Sequence, residues 1–367
     1  MLFCLSKTFE VKKLLIIAPY PLGEAPSQRF RFEQYLSHFE KNGWQCELHS
    51  FWSISAWKVL YQKGKYFQKF FGLLTGFARR FFLLFRIRSA DAIFIHREAA
   101  PIGPPFFEWV IAKIFHRKFI YDFDDAIWKP NVSASNGFAN RFKWYNKVGS
   151  ICKWASVVTC GNKYLCEYAF QFNHSVEFIP TTIDTSYHLP GKKNNTIPVI
   201  GWTGSHSTTY YLNALMPVFK KIEEQFQFEL RIISNKDLQL PLKSYRFIEW
   251  KKETEISELQ QFDIGIMPLP NDEWSKGKCG FKLLQYMAVG VPSVASPVGV
   301  NTEIVLDKLT GWIASTDSDW QKILSTLLQN KTERESVIEN ARTHIENNYS
   351  VNAMREKYLT LLNSISK

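Results

Sequence analysis

The chain has 367 residues, too many for one ordinary domain at about 150 residues apiece, so two lobes are expected. With 46% hydrophobic and 16% aromatic residues it can bury a large core, which excludes disordered, low-complexity and fibrous architectures. The 45 basic against 34 acidic residues leave a net charge of +11, which predicts an anionic partner without choosing among nucleotide phosphates, an anionic membrane and nucleic acid.

The opening MLFCLSKTFEVKK lacks the length and cleavage signal of a secretory peptide, so a cytoplasmic location is expected. Short apolar or β-branched runs then recur between helical patterns, at 14–18, 92–96, 119–123, 157–160 and 176–179. Between the first two lies 57–88, with eight basic residues, no acid and many aromatics, Phe67, Phe70, Phe71, Phe77 and Phe81 among them. Its most apolar part, 70–85, is cut by Arg79 and Arg80 and falls short of the roughly 18 to 20 apolar residues that span a bilayer. An interfacial helix pair on anionic lipid is the favoured reading, at the inner face of a membrane; packing against the lobe and stacking of single-stranded nucleic acid are the alternatives.

The polar piece LPGKKNNTIP, 189–198, reads as a linker between a first lobe, 1–188, and a second, 199–349. The alternation restarts with 199–203, 229–234, 245–249, 264–267 and 293–295, and 350–367 closes the chain with an amphipathic helix. Strands alternating with helices predict α/β architecture, two Rossmann-like doubly wound parallel sheets facing across a cleft, with ligand outside the carboxyl ends of the strands. Six cysteines without a CxxC pair read as buried reduced thiols.

Four groups of residues could carry chemistry. After the second lobe's first strand, Gly204 and Ser205 sit in a Gly/Ser turn before a helical pattern, where amides can hold phosphate or simply cap the helix. In GKCGFKLLQYMAVGVPSVASPVGVNTEIV, Lys278 and Lys282 are spaced to share a helix face, Gln285 follows, and Gly299, Val300 and Asn301 form a second turn into a helix. The two lysines read either as an anion grip or as a solvated face. In the first lobe, Asp122, Asp124 and Asp125 end a strand, His96 and Arg97 end another, and Arg29 and Arg31 follow the first. The acids could bind sugar hydroxyls or act as a base, form a DxD metal site, or serve a salt-bridged loop; the arginines could hold an anionic acceptor or be surface charge.

The 277–305 segment, with IGWTGSHST and DIGIMPLP, resembles the carboxyl-terminal lobe of family 4 glycosyltransferases of the GT-B fold. LLIIAPYPLGEAPSQRFRF, DAIFIHRE and FIYDFDDAIW are similar to relatives that build bacterial surface polysaccharides. The resemblance implies retaining transfer of a sugar from a nucleoside diphosphate sugar, held by the second lobe, to a polysaccharide or lipid-linked oligosaccharide. It implies no tightly bound metal, no other cofactor and no nucleic acid.

Family members carry two glutamates separated by seven intervening residues; the matching positions here are Gly277 and Gln285, and the family's diphosphate-binding Arg and Lys are absent from GWTGSHSTTYYL. Lys278 and Lys282 would then neutralise the diphosphate, Gln285 hold the ribose, the turns at Gly204–Ser205 and Gly299–Asn301 offer amides, and Asp124 and His96 meet the sugar. Arg29, Arg31 and Asp125 would hold the acceptor. A non-catalytic protein that binds nucleotide or nucleic acid on the same fold, and a nucleotide-sugar epimerase, are the alternatives.

Overall fold

The computed structural model describes residues 11–60, 62, 64–130 and 142–366. The chain divides into two compact units, Met1–Ile179 with Arg355–Lys367, and Pro180–Met354.

The first unit is a six-stranded parallel sheet of β1 (Lys12–Ala18), β2 (Trp44–Ser50), β3 (Ala92–His96), β4 (Ile120–Phe123), β5 (Val157–Cys160) and β6 (Val176–Phe178), ordered β2-β1-β3-β4-β5-β6. The reversal of direction between β1 and β3 makes it doubly wound. Its central strands are apolar on both faces because helices cover both: every residue of Ala92–His96 and of Ile120–Phe123 is buried. The expected strands are present. β2 adds to them; WQCELHS is only partly buried at the sheet edge, so its pattern is too polar to stand out.

The second unit repeats the architecture with β7 (Val199–Thr203), β8 (Glu229–Ser234), β9 (Tyr245–Glu249), β10 (Ile264–Met267), β11 (Ser293–Ala295) and β12 (Trp312–Ile313), ordered β12-β11-β10-β7-β8-β9 and all parallel. Its main core joins Trp202, Phe219, Ile232, Ile266, Trp312 and Trp320.

The boundaries differ from those expected. Residues 189–198 lie within the second unit, where Gln260 and Gln261 donate through their amides to the Leu189 and Lys192 carbonyls and Asn195 donates to Asp263 at 3.0 Å. Polar composition marked this segment as loop, but the loop is strapped to the lobe by side-chain amides. The last helix, Val351–Ile365, begins in the second unit, and its residues from Arg355 belong to the first. There Tyr358 is buried and packs against Tyr35, the ring centroids 4.7 Å apart and the planes tilted by 50°. Among the described residues the cysteines are free, and no helix is long and apolar enough to cross a membrane.

Candidate active site

In the second unit the donor candidates gather at the carboxyl ends of β7, β10 and β11. The helix Phe281–Ala288 starts one residue after Gly280, whose φ of +67° places it in the left-handed region and whose hydrogen faces Ile304, where a Cβ would come within 2.2 Å. Lys278 therefore precedes the helix, and the expected shared helix face does not form. Each lysine instead lies over its own indole: Lys278 Nζ is 4.8 Å from the Trp274 ring and Lys282 Nζ 5.2 Å from the Trp202 ring. Both are half-buried, so the indoles hold two partly desolvated ammonium groups at this edge.

Gln285 is 1% exposed, and its amide donates to Glu255 at 3.2 Å. The Trp250 indole donates to the same carboxylate oxygen at 3.3 Å. Glu255 was missed by the sequence reading, because in KKETEISEL it looks like the charged first turn of a surface helix; only the fold brings it to Gln285. Gly204 is not a free phosphate donor, since its amide continues the sheet by donating to the Ile233 carbonyl at 3.0 Å. Ser205 caps the 3₁₀ turn that follows, its carbonyl accepting from Thr208.

At Gly299, φ is +56° and a Cβ would come within 2.8 Å of the Lys276 carbonyl, so this loop packs on the chain just before Lys278. The Gly299 and Val300 amides make no hydrogen bond among the described residues, whereas the Asn301 amide donates to Val298. The Asn301 side chain is buried and donates to the Ser296 carbonyl at 3.1 Å, which fixes the loop.

In the first unit, register decides which acid does what. His96 pairs laterally with Asp122, and Asp122 with Thr159, so three polar side chains meet on adjacent strands. His96 Nδ1 lies 2.7 Å from Asp122 Oδ2, and the Thr159 hydroxyl donates to Oδ1 at 2.7 Å. Arg31 completes the cluster by a buried ion pair with Asp122 and a hydrogen bond to the Ile179 carbonyl. Burial alone would raise the Asp122 pKa, but the Arg31 guanidinium and the His96 contact outweigh it and hold the carboxyl well below the usual range.

Arg31 is thus a correction: expected to hold an acceptor, it is 1% exposed and spent on Asp122. His96 is fully buried, with Nε2 unpartnered and its ring against Phe32 at 5.4 Å. Asp124 and Asp125 turn away from Asp122 to Arg97, at 2.6 and 2.5 Å, which is the salt-bridged arrangement. The three acids do not converge, and among the described residues no group of three or more His, Cys, Asp or Glu is placed to hold a metal ion. The Arg29 guanidinium lies over the Phe30 ring, 4.9 Å away.

Residues 197–330 match the family described as glycosyl transferases group 1. No curated protein matches the chain by sequence. Among solved structures, the chain is similar to HepE of Anabaena in complex with UDP-glucose (12% identity, 96% of this chain and 99% of that one, TM-score 0.70). It is also similar to the sucrose-phosphate synthase of Thermosynechococcus elongatus (11% identity, 96% and 99% covered, TM-score 0.69) and a glycosyltransferase of Rickettsia africae (13%, 97% and 98%, 0.68). Residues 197–330 form a group 1 glycosyl transferase domain, and the enzyme that carries it has the GT-B glycosyltransferase fold.

Proposed function

We propose that the enzyme is a retaining glycosyltransferase that moves a sugar from a nucleoside diphosphate sugar to a polysaccharide or lipid-linked oligosaccharide. The observation that carries this reading is the pair Lys278 and Lys282, half-buried on two indoles at the carboxyl edge of the group 1 domain. Departure of the diphosphate concentrates negative charge on its oxygens, and preorganised ammonium groups lower the cost of that charge. The Gly299 and Val300 amides add neutral donors beside them. The Glu255 and Gln285 pair supplies acceptors and donors for ribose hydroxyls in place of the second family glutamate.

In the first unit, the Arg97, Asp124 and Asp125 cluster would meet sugar or acceptor hydroxyls, and Arg29 an anionic part of the acceptor. With front-face attack, the acceptor oxygen bonds to the anomeric carbon as the diphosphate leaves, and the leaving oxygen takes the acceptor's proton. No separate enzymic base is then needed. A metal is not required if the lysines neutralise the diphosphate, and Arg97 already occupies the two outer aspartates. We place the work at the cytoplasmic face of an anionic membrane, where the basic, aromatic segment of the first unit would sit.

A thermal-shift panel of UDP, GDP, ADP, dTDP and their sugars tests the donor site, since ligand at about 100 times its dissociation constant stabilises by about 2.7 kcal/mol. HepE was solved with UDP-glucose, so uridine nucleotides come first. Absence of any shift across the panel would remove the donor site. An inverted anomeric product, read by NMR, would remove the retaining course.

A further inference from the structure

The helix Tyr66–Leu84 in the first unit is inside out. Its buried residues are Gly72, Gly76, Arg80 and Leu83. The glycines allow close approach, since a Cβ at Gly76 would come within 2.5 Å of Phe51 and one at Gly72 within 2.9 Å of Ala56. Arg80 is satisfied by the carbonyls of Ala18, His49 and Ala99, so it clamps the helix to the carboxyl ends of β1 and β2.

The opposite face is aromatic and exposed: Phe67 at 82%, Phe71 at 61%, Phe82 at 71% and, just past the helix, Phe85 at 83%. At about 100° per residue, the arc from Tyr66 to Phe82 covers about 160° without a charge, while Lys69, Arg79 and Arg86 lie outside it. Beside this face, Phe77, Phe81, Ile102, Pro104, Phe107 and Phe142 line an almost wholly apolar groove of about 300 Å³. Its far wall is pinned, because Gly103 donates to the Phe142 carbonyl at 2.9 Å and the buried Glu108 carboxylate accepts from Ala99 at 2.8 Å.

Resting on the membrane reading above, we propose that this groove takes one acyl chain of an anionic phospholipid, with the aromatic face embedded in the same leaflet. Charge complementarity selects the occupant, since Lys65, Lys69 and Arg79 flank the uncharged arc and 57–88 holds no acid. The volume, at the lower end of small-molecule pockets, suits part of a chain rather than a whole lipid.

The experiment uses the full chain and two vesicle compositions, phosphatidylcholine alone and phosphatidylcholine with phosphatidylglycerol, the latter bearing a diazirine on one acyl chain. Flotation reads docking, and mass spectrometry of peptides after illumination reads where the chain lies. Expected are flotation with the anionic vesicles and cross-links on 77–81 and 102–107. Ile102→Trp, which fills the groove, should cut those cross-links about tenfold, the factor that losing roughly two buried methylenes gives, while flotation persists. Phe106 also lines the groove and is half-exposed, and Phe106→Ser, which removes apolar wall instead of filling the space, should likewise cut the cross-links if Ile102→Trp fails to fold.

Flotation with cross-links elsewhere, or unchanged in both variants, overturns the groove inference and leaves the membrane reading standing. Failure to float with anionic vesicles overturns both. A dimer seen by light scattering without lipid and abolished by Phe82→Ser also overturns it, assigning the face to a second copy.

Discussion

Two amphipathic helices of this protein solve opposite problems. In the second unit, Phe281–Ala288 buries Leu283, Leu284, Tyr286, Met287 and Ala288 and keeps Lys282 half-exposed over Trp202. In the first, Tyr66–Leu84 buries two glycines, an arginine and one leucine and exposes most of its phenylalanines. In a globular protein the apolar stripe of a helix ordinarily faces the core. The comparison shows that a helix can be held by close backbone approach and by one guanidinium saturated with carbonyls, which releases its apolar face for another medium.

The largest break in this comparison is expected from Arg80→Leu. The Ala99 and His49 carbonyls lose the guanidinium at once, while the Ala18 carbonyl keeps the Phe51 amide as donor, and at about 1–3 kcal/mol for each buried group left unsatisfied the loss should be about 3 kcal/mol, read by urea denaturation. In the other helix the expected damage is functional. Lys282→Ala should keep the fold but lose about 10- to 150-fold in turnover, corresponding to about 1.5–3 kcal/mol for a charge-assisted contact; unchanged turnover would remove Lys282 from the donor site.

Smaller again is Gly76→Ala. It forces the helix off Phe51 at a cost of about 1–3 kcal/mol, visible as a lower melting temperature. The buried guanidiniums also separate by pH. Arg80 faces carbonyls, which do not titrate, whereas Arg31 faces Asp122, whose folded pKa is depressed. The stability from that pair is fully present above the unfolded carboxylate value near 3.9 and is lost as pH falls below it. The acid limb of melting temperature against pH should therefore be shallower in Asp122→Asn than in the parent. The smallest effect is Phe82→Ser on the exposed face, within about 0.5 kcal/mol of the parent. A large destabilisation there would mean the face is packed.

Much of the fold was legible. Nearly all strands of both sheets carry β-branched or apolar runs bounded by turn residues, and their alternation with helices specified parallel sheets. The edge strand Trp44–Ser50 and the two-residue Trp312–Ile313 escaped, one for polarity and one for brevity. At the site, the lysines and the 277–305 segment were legible as chemistry but not as geometry: Gly280 separates Lys278 from the helix. Arg31 and Arg29, two residues apart, read alike, yet only Arg31 is drawn into the core by Asp122. Glu255 carried no signal, because its partners Gln285 and Trp250 are distant or unremarkable in sequence.

The sequence by itself determined the two α/β lobes, the glycosyltransferase-like segment of the second and the basic, aromatic character of 57–88 in the first, because all three rest on local periodicity, composition and short motifs. Tertiary structure decided which aspartate is buried, which arginine neutralises it, where the chain passes between units and which face of the Tyr66–Leu84 helix points outward. Those outcomes depend on lateral strand register, as between His96, Asp122 and Thr159, and on close approaches such as Gly76 to Phe51. Register and approach are set by contacts between residues far apart in the chain, and no local pattern encodes them.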